Sequence, residues 1–316
     1  MASGFKVKGG LKMISNKQHT VARRVEVSGV ALHSGKVVRI EILPGGINSG
    51  IVFKRVDLPG APTVPAHLSN ILSTDLNTTI GHGEVKISTI EHLMAAFAGL
   101  GIDNALVKID GPEVPVMDGS ASPFVARILS AGISAQDAQR RYFVVRQAFE
   151  FRMGDKWIKI EPSDVTSFGM EIDFKSKVIG RQSFSFNLDH DSFLDIAGSR
   201  TFCHENDVSA MRNAGLALGG SLENAIVVSD DEVLNPEGLR FDNEFVRHKL
   251  LDCLGDLSLL GGPIVGKITA SKSGHGLHAA FMKELWVRRQ ELLTIVEDMG
   301  VRRAKDSYSK VAGAIA

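Results

Sequence analysis

The chain carries the same plan twice. Trp157-Ile158-Lys159-Ile160-Glu161-Pro162 echoes Val38-Arg39-Ile40-Glu41-Ile42-Leu43-Pro44, and a glycine with an apolar strand follows each, at Gly50 and Gly169. Later, Arg247-His248-Lys249-Leu250 opens a helix as Glu91-His92-Leu93-Met94 does. Each helix is followed by glycines and a strand ending in Lys-Ile, at Lys108-Ile109 and Lys267-Ile268, and a final helix closes each half near Phe124 and Phe281. Apolar and polar residues alternating in short runs read as half-buried strands, and the longer periodic runs as helices. The fold expected is α+β, with two similar domains from an internal duplication. Each is a β-sheet carrying a layer of helices, and the helix layers pack face to face around the active site.

Residues 18–136 are expected as domain I and 137–298 as domain II, with Ala135 to Arg141 a short polar linker. Residues 1–17, rich in Lys and Gly, read as a poorly ordered N-terminal extension, and 299–316 as a C-terminal tail. Thr20 to Ile42 reads as strands in hairpins, with turns at Ser28-Gly29 and His33-Ser34-Gly35. Ser199 to Asp242 has no counterpart in the first half. It holds a helix around Asp207 to Asn213 and the small, apolar run Gly215-Leu216-Ala217-Leu218-Gly219-Gly220-Ser221. Insertions on a repeated scaffold are where specificity usually resides.

Composition excludes several classes. With 44% hydrophobic residues the chain buries a substantial core, and a net charge of +0 argues against a nucleic-acid binder held by phosphate neutralisation. Cys203 and Cys253 lack CxxC spacing, so neither a disulfide framework nor a thiolate metal site is expected; each reads as a small buried hydrophobe in a cytoplasmic protein. No secretory signal and no transmembrane segment is read, and a monomer is expected.

The chemistry concentrates on Phe245 to Asp256. As a helix, this stretch puts His248, Asp252 and Asp256 at successive i, i+4 steps beside an apolar face of Val246, Leu250, Leu251, Leu254 and Leu257. An imidazole and a carboxylate one turn apart can chelate a metal, and a second carboxylate a turn further on suits an outer-shell partner. Alone, such a pair is usually a surface feature. The repeat changes this, because His92 and His248 fall at equivalent positions. If the helix layers meet, a metal between the halves has His92, His248 and Asp252 as ligands.

Other residues have simpler readings. Ser88-Thr89-Ile90-Glu91 fits a capping box, which is favoured over a catalytic role for Glu91. His275, in Lys272-Ser273-Gly274-His275-Gly276, reads as an exposed loop imidazole, or else as one aimed into the site and held by Asp256. Thr201 reads as a loop hydroxyl, and Lys249 as a solvated cation.

Several blocks together resemble a known family. Ile87-Ser88-Thr89-Ile90-Glu91-His92-Leu93, Pro115-Val116-Met117-Asp118-Gly119-Ser120-Ala121, Ser199-Arg200-Thr201-Phe202, Phe245 to Asp252 and Lys272-Ser273-Gly274-His275 are similar, in order, to the signatures of the UDP-3-O-acyl-N-acetylglucosamine deacetylases. These are zinc hydrolases that commit bacteria with an outer membrane to lipid A synthesis. The resemblance covers about Gln18 to Glu284. It implies zinc on His92, His248 and Asp252, Glu91 as general base, and Thr201 as an oxyanion-stabilising hydroxyl. It also implies His275 as a protonated imidazole near the leaving amine, oriented by Asp256, and leaves open whether Glu91 alone or His275 handles the amine's proton. Lys249, Lys156, Phe174, Lys272 and His33 are implied near the nucleotide-sugar, and Phe202, Val208, Ala217, Ser221 and Ala225 along a passage for the fatty acyl chain. Two other readings use the same residues: a binding module that holds such a ligand without turnover, and a metal hydrolase or deaminase acting on a different substrate.

Overall fold

The computed structural model describes residues 16–297, together with the backbone of two short strands, Lys12–Met13 and Arg303–Ala304, which pair antiparallel. The expected N-terminal extension and C-terminal tail otherwise lie outside the described residues.

Two five-stranded sheets form the frame, and they share one topology. The first runs Val25–Val30, Val37–Pro44, Ala105–Ile109, Ile51–Arg55, Thr63–Pro65. The second runs Phe149–Met153, Lys156–Glu161, Lys267–Ser271, Ser167–Asp173, Arg181–Asn187. In both, the third and fourth strands pair in parallel and every other neighbour is antiparallel. The two echoing segments are the second strand of each sheet. Alternation does what the sequence dictates: Val38, Ile40 and Ile42 point into the core, as do Ile158 and Ile160, while Arg39 and the half-buried Lys159 lie on the other face.

Six helices matter for the site: α1 (Glu91–Leu100), α2 (Ser122–Ala131), α3 (Leu194–Ala197), α4 (Glu205–Asn213), α5 (Glu244–Leu257) and α6 (His275–Val287). In each half one helix precedes the central strand and one follows it, α1 and α2 around Ala105–Ile109, α5 and α6 around Lys267–Ser271. The two helix layers meet where α1 packs on α5. All of α1 except Ala98 is buried, as befits a helix that is apolar nearly all round. It ends at Gly101, whose φ of +70° closes the C-cap on the Ala98 and Phe97 carbonyls. Gly255 sets how closely the layers approach: a Cβ there would lie 2.1 Å from the Glu91 carbonyl oxygen.

Four local expectations are corrected. Ser28 and Gly29 are not a turn; they lie inside the strand Val25–Val30, paired with Arg39 and Val38. Gly29 is there because Pro115 and Met117 press on that strand, with the Met117 sulfur 3.1 Å from where a Cβ would sit. Ala135 to Arg141 is not an unstructured linker: residues up to Gln139 belong to the strand Ile133–Gln139, which pairs with Lys17–Val21. Lys267-Ile268 begins its strand rather than ending it. Cys203 is only half-buried, whereas Cys253 is fully buried, and both are free thiols.

Candidate active site

The polar stripe of α5 is enclosed, not exposed. Each buried leucine beside it stabilises the fold by roughly 1.5–3 kcal/mol. Ionisable groups buried at the same depth cost stability unless each finds a partner. His248, Asp252 and Asp256 are all at most 2% exposed, so their partners define the site.

His92 enters from α1 and meets the stripe edge-on. Its ring centroid is 5.0 Å from that of His248, and the Nε2 atoms of His92 and His248 lie 3.6 and 3.3 Å from Asp252 Oδ1. His248 Nδ1 is 3.0 Å from the Ser199 carbonyl, which can only accept, so Nδ1 carries the proton and Nε2 presents its lone pair. Burial pushes the His248 pKa down to about 3, keeping the ring neutral. Burial would raise the Asp252 pKa, but its surroundings, with the Lys249 ammonium donating to it, hold it well below the usual carboxylate range. Lys249 Nζ donates to Asp252 Oδ2 at 2.8 Å, while Oδ1 is buried with no hydrogen-bond partner. Two imidazoles and an ionised carboxylate with an orphaned oxygen between them form a donor set for a divalent cation.

Glu91 overturns the capping-box expectation. Helix α1 starts at Glu91 itself, Ile90 makes no side-chain cap, and Glu91 Oε2 accepts from the Thr78 N–H at 3.0 Å. Ser88 Oγ instead accepts from the Thr79 hydroxyl. Burial raises the Glu91 pKa, with His275 and His92 opposing. The preceding Thr89 is held at φ +57°, a strained value for a threonine, by its bond to the buried Glu113.

His275 is likewise not an exposed loop residue. It is the first residue of α6, 9% exposed, with Nδ1 2.8 Å from Asp256 Oδ2 and Nε2 4.0 Å from Asp252 Oδ2. Burial disfavours its charge, but Asp256 outweighs this and lifts the pKa to about 9, so the ring is a cation at neutral pH. Asp256 Oδ2 also accepts from His278 Nδ1 at 2.7 Å, and Oδ1 from the Thr78 hydroxyl at 2.6 Å. Asp256, His275 and His278 thus also gather like metal ligands. Their contacts are hydrogen-bond lengths, and the raised pKa values of His275 and His278 favour protonated rings, so this group reads as a proton-holding network rather than a second metal site.

The sequence did not single out Thr78, His278 or Glu113. Thr78 joins Glu91 to Asp256 from a loop in the first half, and nothing in Asn77-Thr78-Thr79 signals that role. His278 lies one helical turn after His275, a spacing that could have flagged it.

The other expected site residues divide. Thr201 is held by its backbone, N–H to Gly119 and carbonyl to Ile226, two residues beyond the Ser199 carbonyl that fixes His248. Lys249 is only partly exposed; its ammonium sits on Asp252 and 5.8 Å from the Phe202 ring centroid. Phe174, half in solvent, meets Phe202 edge-on at 5.6 Å, and Phe202 in turn reaches Phe245 and His248. His33 is buried and accepts from the Ala217 N–H, tying the first half to the insert. Ala217 and Ala225 are buried, Val208 on α4 is half-buried, and Ser221 is exposed. Lys272 bridges Asp155 and Asp173 at 3.1 and 3.0 Å. Lys156 is exposed at the hairpin beside Asp155 and is not brought to the metal-ligand group. Buried Arg200 pairs with Glu244, the first residue of α5, at 2.9 Å, which pins the insert to the helix bearing His248.

Known proteins match this chain along most of its length. The family model described as UDP-3-O-acyl N-acetylglycosamine deacetylase matches residues 18–287. A UDP-3-O-acyl-N-acetylglucosamine deacetylase of Citrifermentans bemidjiense is 47% identical over 281 residues, 89% of this chain and 92% of that protein. The protein of the same name from Anaeromyxobacter sp. (strain Fw109-5) is 48% identical over 85% of this chain and 88% of its own length. That of Myxococcus xanthus is 43% identical over 95% and 96%. A match that takes in both sheets, the helix seam and every residue of the buried network places the chain in the UDP-3-O-acyl N-acetylglycosamine deacetylase family.

Proposed function

We propose that this chain hydrolyses the acetamide of UDP-3-O-acyl-N-acetylglucosamine, releasing acetate and UDP-3-O-acyl-glucosamine, the committed step of lipid A biosynthesis. The observation that carries this reading is the unpaired Asp252 Oδ1, buried between two imidazole nitrogens, with Glu91 and His275 close enough to shift each other's ionisation. The cation is proposed to be zinc, held by His92, His248 and Asp252; nitrogen and oxygen donors in this ratio suit it. When bound, zinc would polarise the amide carbonyl and acidify a water.

The chain's own groups handle the protons. Glu91 takes one from the attacking water as the O–C bond forms, and its burial-raised pKa makes it a better base than an exposed glutamate. The Thr201 hydroxyl is assigned to the developing oxyanion. As the C–N bond breaks, His275 gives its proton to the amine nitrogen, and Asp256 stabilises the cation until then. Lys249 occupies Asp252 Oδ2 and so aims Oδ1 at the two histidines.

On the substrate side, Phe174 and Phe202 are assigned to an apolar approach that continues along Val208, Ala217, Ser221 and Ala225 for the acyl chain. Lys272, Lys156 and His33 are assigned to the nucleotide-sugar end. The matched sheet topologies support a division into domain I (18–136) and domain II (137–298) that arose by duplication. No helix of the described residues is long and apolar enough to cross a membrane. A cytoplasmic monomer is proposed. The test is acetate release from the acylated nucleotide-sugar with and without a chelator: release that the chelator abolishes and zinc restores supports the reading, and retention of the substrate without release refutes it.

A further inference from the structure

A cavity of about 320 Å³ lies away from the metal-ligand group and opens between the two halves. On α1 its wall includes Met94, two residues past His92, and on α5 Leu254, two residues past Asp252. Two residues of helix turn the side chain by about 200°, so the cavity lies on the opposite side of the α1–α5 seam from the catalytic groups.

Its walls are mainly apolar, with Met94, Phe97, Phe168, Leu254, Leu257 and Ile264 drawn from both halves, and uncharged polar groups such as Gln18, Asn48 and Thr166 among them. Its charged lining is confined to Asp103, Arg140 and Arg141. Asp103 is already committed, accepting from Arg140 Nε at 2.6 Å and from the His19 N–H. That leaves Arg141, exposed and not paired with any carboxylate among the described residues. The charged lining thus carries a single net positive charge, and most of the remaining surface is apolar. The volume falls at the lower end of the range for small-ligand sites, roughly 300–1,000 Å³.

We propose that this cavity is a second binding site, separate from the catalytic one, for a small amphiphilic monocarboxylate of the fatty-acid type. The carboxylate pairs with the Arg141 guanidinium and the chain lies between α1 and α5. An anion suits the uncompensated guanidinium, one charge suffices because Arg140 is neutralised, and an unbranched apolar body matches walls that offer no other charged partner. The site is formed by both halves, so its occupant binds the two together across the helix seam. This inference does not depend on the deacetylase reading.

The test is a crystal of the metal-loaded protein soaked with ω-bromodecanoate, read by the bromine anomalous signal, with calorimetry in solution. The expected result is bromine between Phe97 and Leu257 with the carboxylate at Arg141, and affinity rising about fourfold per methylene from octanoate to decanoate. Arg141→Glu is expected to weaken decanoate at this site at least tenfold while leaving decanol binding and the acetate-release rate without fatty acid unchanged. Bromine found solely at the metal-ligand group or in the insert, or decanol bound as tightly as decanoate by the unsubstituted protein, would overturn the proposal.

Discussion

Thr78 binds two carboxylates from opposite halves of the chain. Its hydroxyl donates to Asp256 Oδ1 at 2.6 Å, and its backbone N–H donates to Glu91 Oε2 at 3.0 Å. The proposed general base, Glu91, and Asp256, the partner of the proposed general acid, are therefore fixed relative to each other by one residue of a loop. Thr78→Val keeps the N–H and the shape but leaves Asp256 Oδ1 without its hydroxyl donor. Denaturant unfolding should show a loss of roughly 1–3 kcal/mol, the cost of one unsatisfied buried acceptor. Metal content should be unchanged.

The pH dependence of turnover follows from Glu91 and His275. In the proposed mechanism the active form has Glu91 ionised and His275 protonated. Burial raises the Glu91 pKa, so the acid limb of kcat/KM should lie above the ordinary carboxylate range. His275 loses its proton near pH 9, so activity should fall through about that value. His275→Gln should lower kcat by roughly two orders of magnitude and remove the basic limb; a profile that keeps that limb in the variant would show that a different group titrates there.

His278 makes a separate statement about stability. Burial disfavours its charge, but Cys253 and Asp256 lift its pKa from 6.5 to about 9. A raised folded-state pKa means the protonated ring contributes stability that is fully present below pH 6.5 and is lost as pH rises through about 9. Unfolding free energies measured between those values should decline with pH, and His278→Gln should flatten the decline. His275 sits on the same Asp256 oxygen and supplies the remainder.

Gly255 and Arg200 test how the two halves are held. Gly255→Ala places a methyl group 2.1 Å from the Glu91 carbonyl oxygen, which must push α1 away from α5. Because His92 rides on α1 and Asp252 on α5, equilibrium dialysis should show metal affinity falling along with stability. Arg200→Met strands Glu244, which is fully buried, and should cost about 3–5 kcal/mol in urea unfolding. Arg200→Met combined with Glu244→Gln should recover part of that loss.

How much of this was legible in the sequence depended on whether a signal was local. The α5 stripe could be read because i, i+4 spacing fixes a helix face whatever surrounds it, and the repeated strand pattern placed His92 opposite it. Glu91 could not be read correctly: Ser88-Thr89-Ile90-Glu91 has capping-box spacing, but Thr89 is at positive φ and the chain enters α1 without the extended N-cap that a box requires. Ser28-Gly29 looked like a turn because a glycine in a strand signals close approach only when the approaching chain, here Pro115 and Met117, is known. Thr78, Glu113 and the Arg200–Glu244 pair act over long sequence separations, 178 residues in the case of Thr78 and Asp256, and no window of sequence holds both partners.

The most direct test of the central claim is a crystal of the zinc-loaded protein measured at the zinc absorption edge. One anomalous peak per chain is expected, within bonding distance of His92 Nε2, His248 Nε2 and Asp252 Oδ1. A peak on Asp256, His275 and His278 instead would contradict it, because the groups assigned here to hold protons would then be the metal ligands.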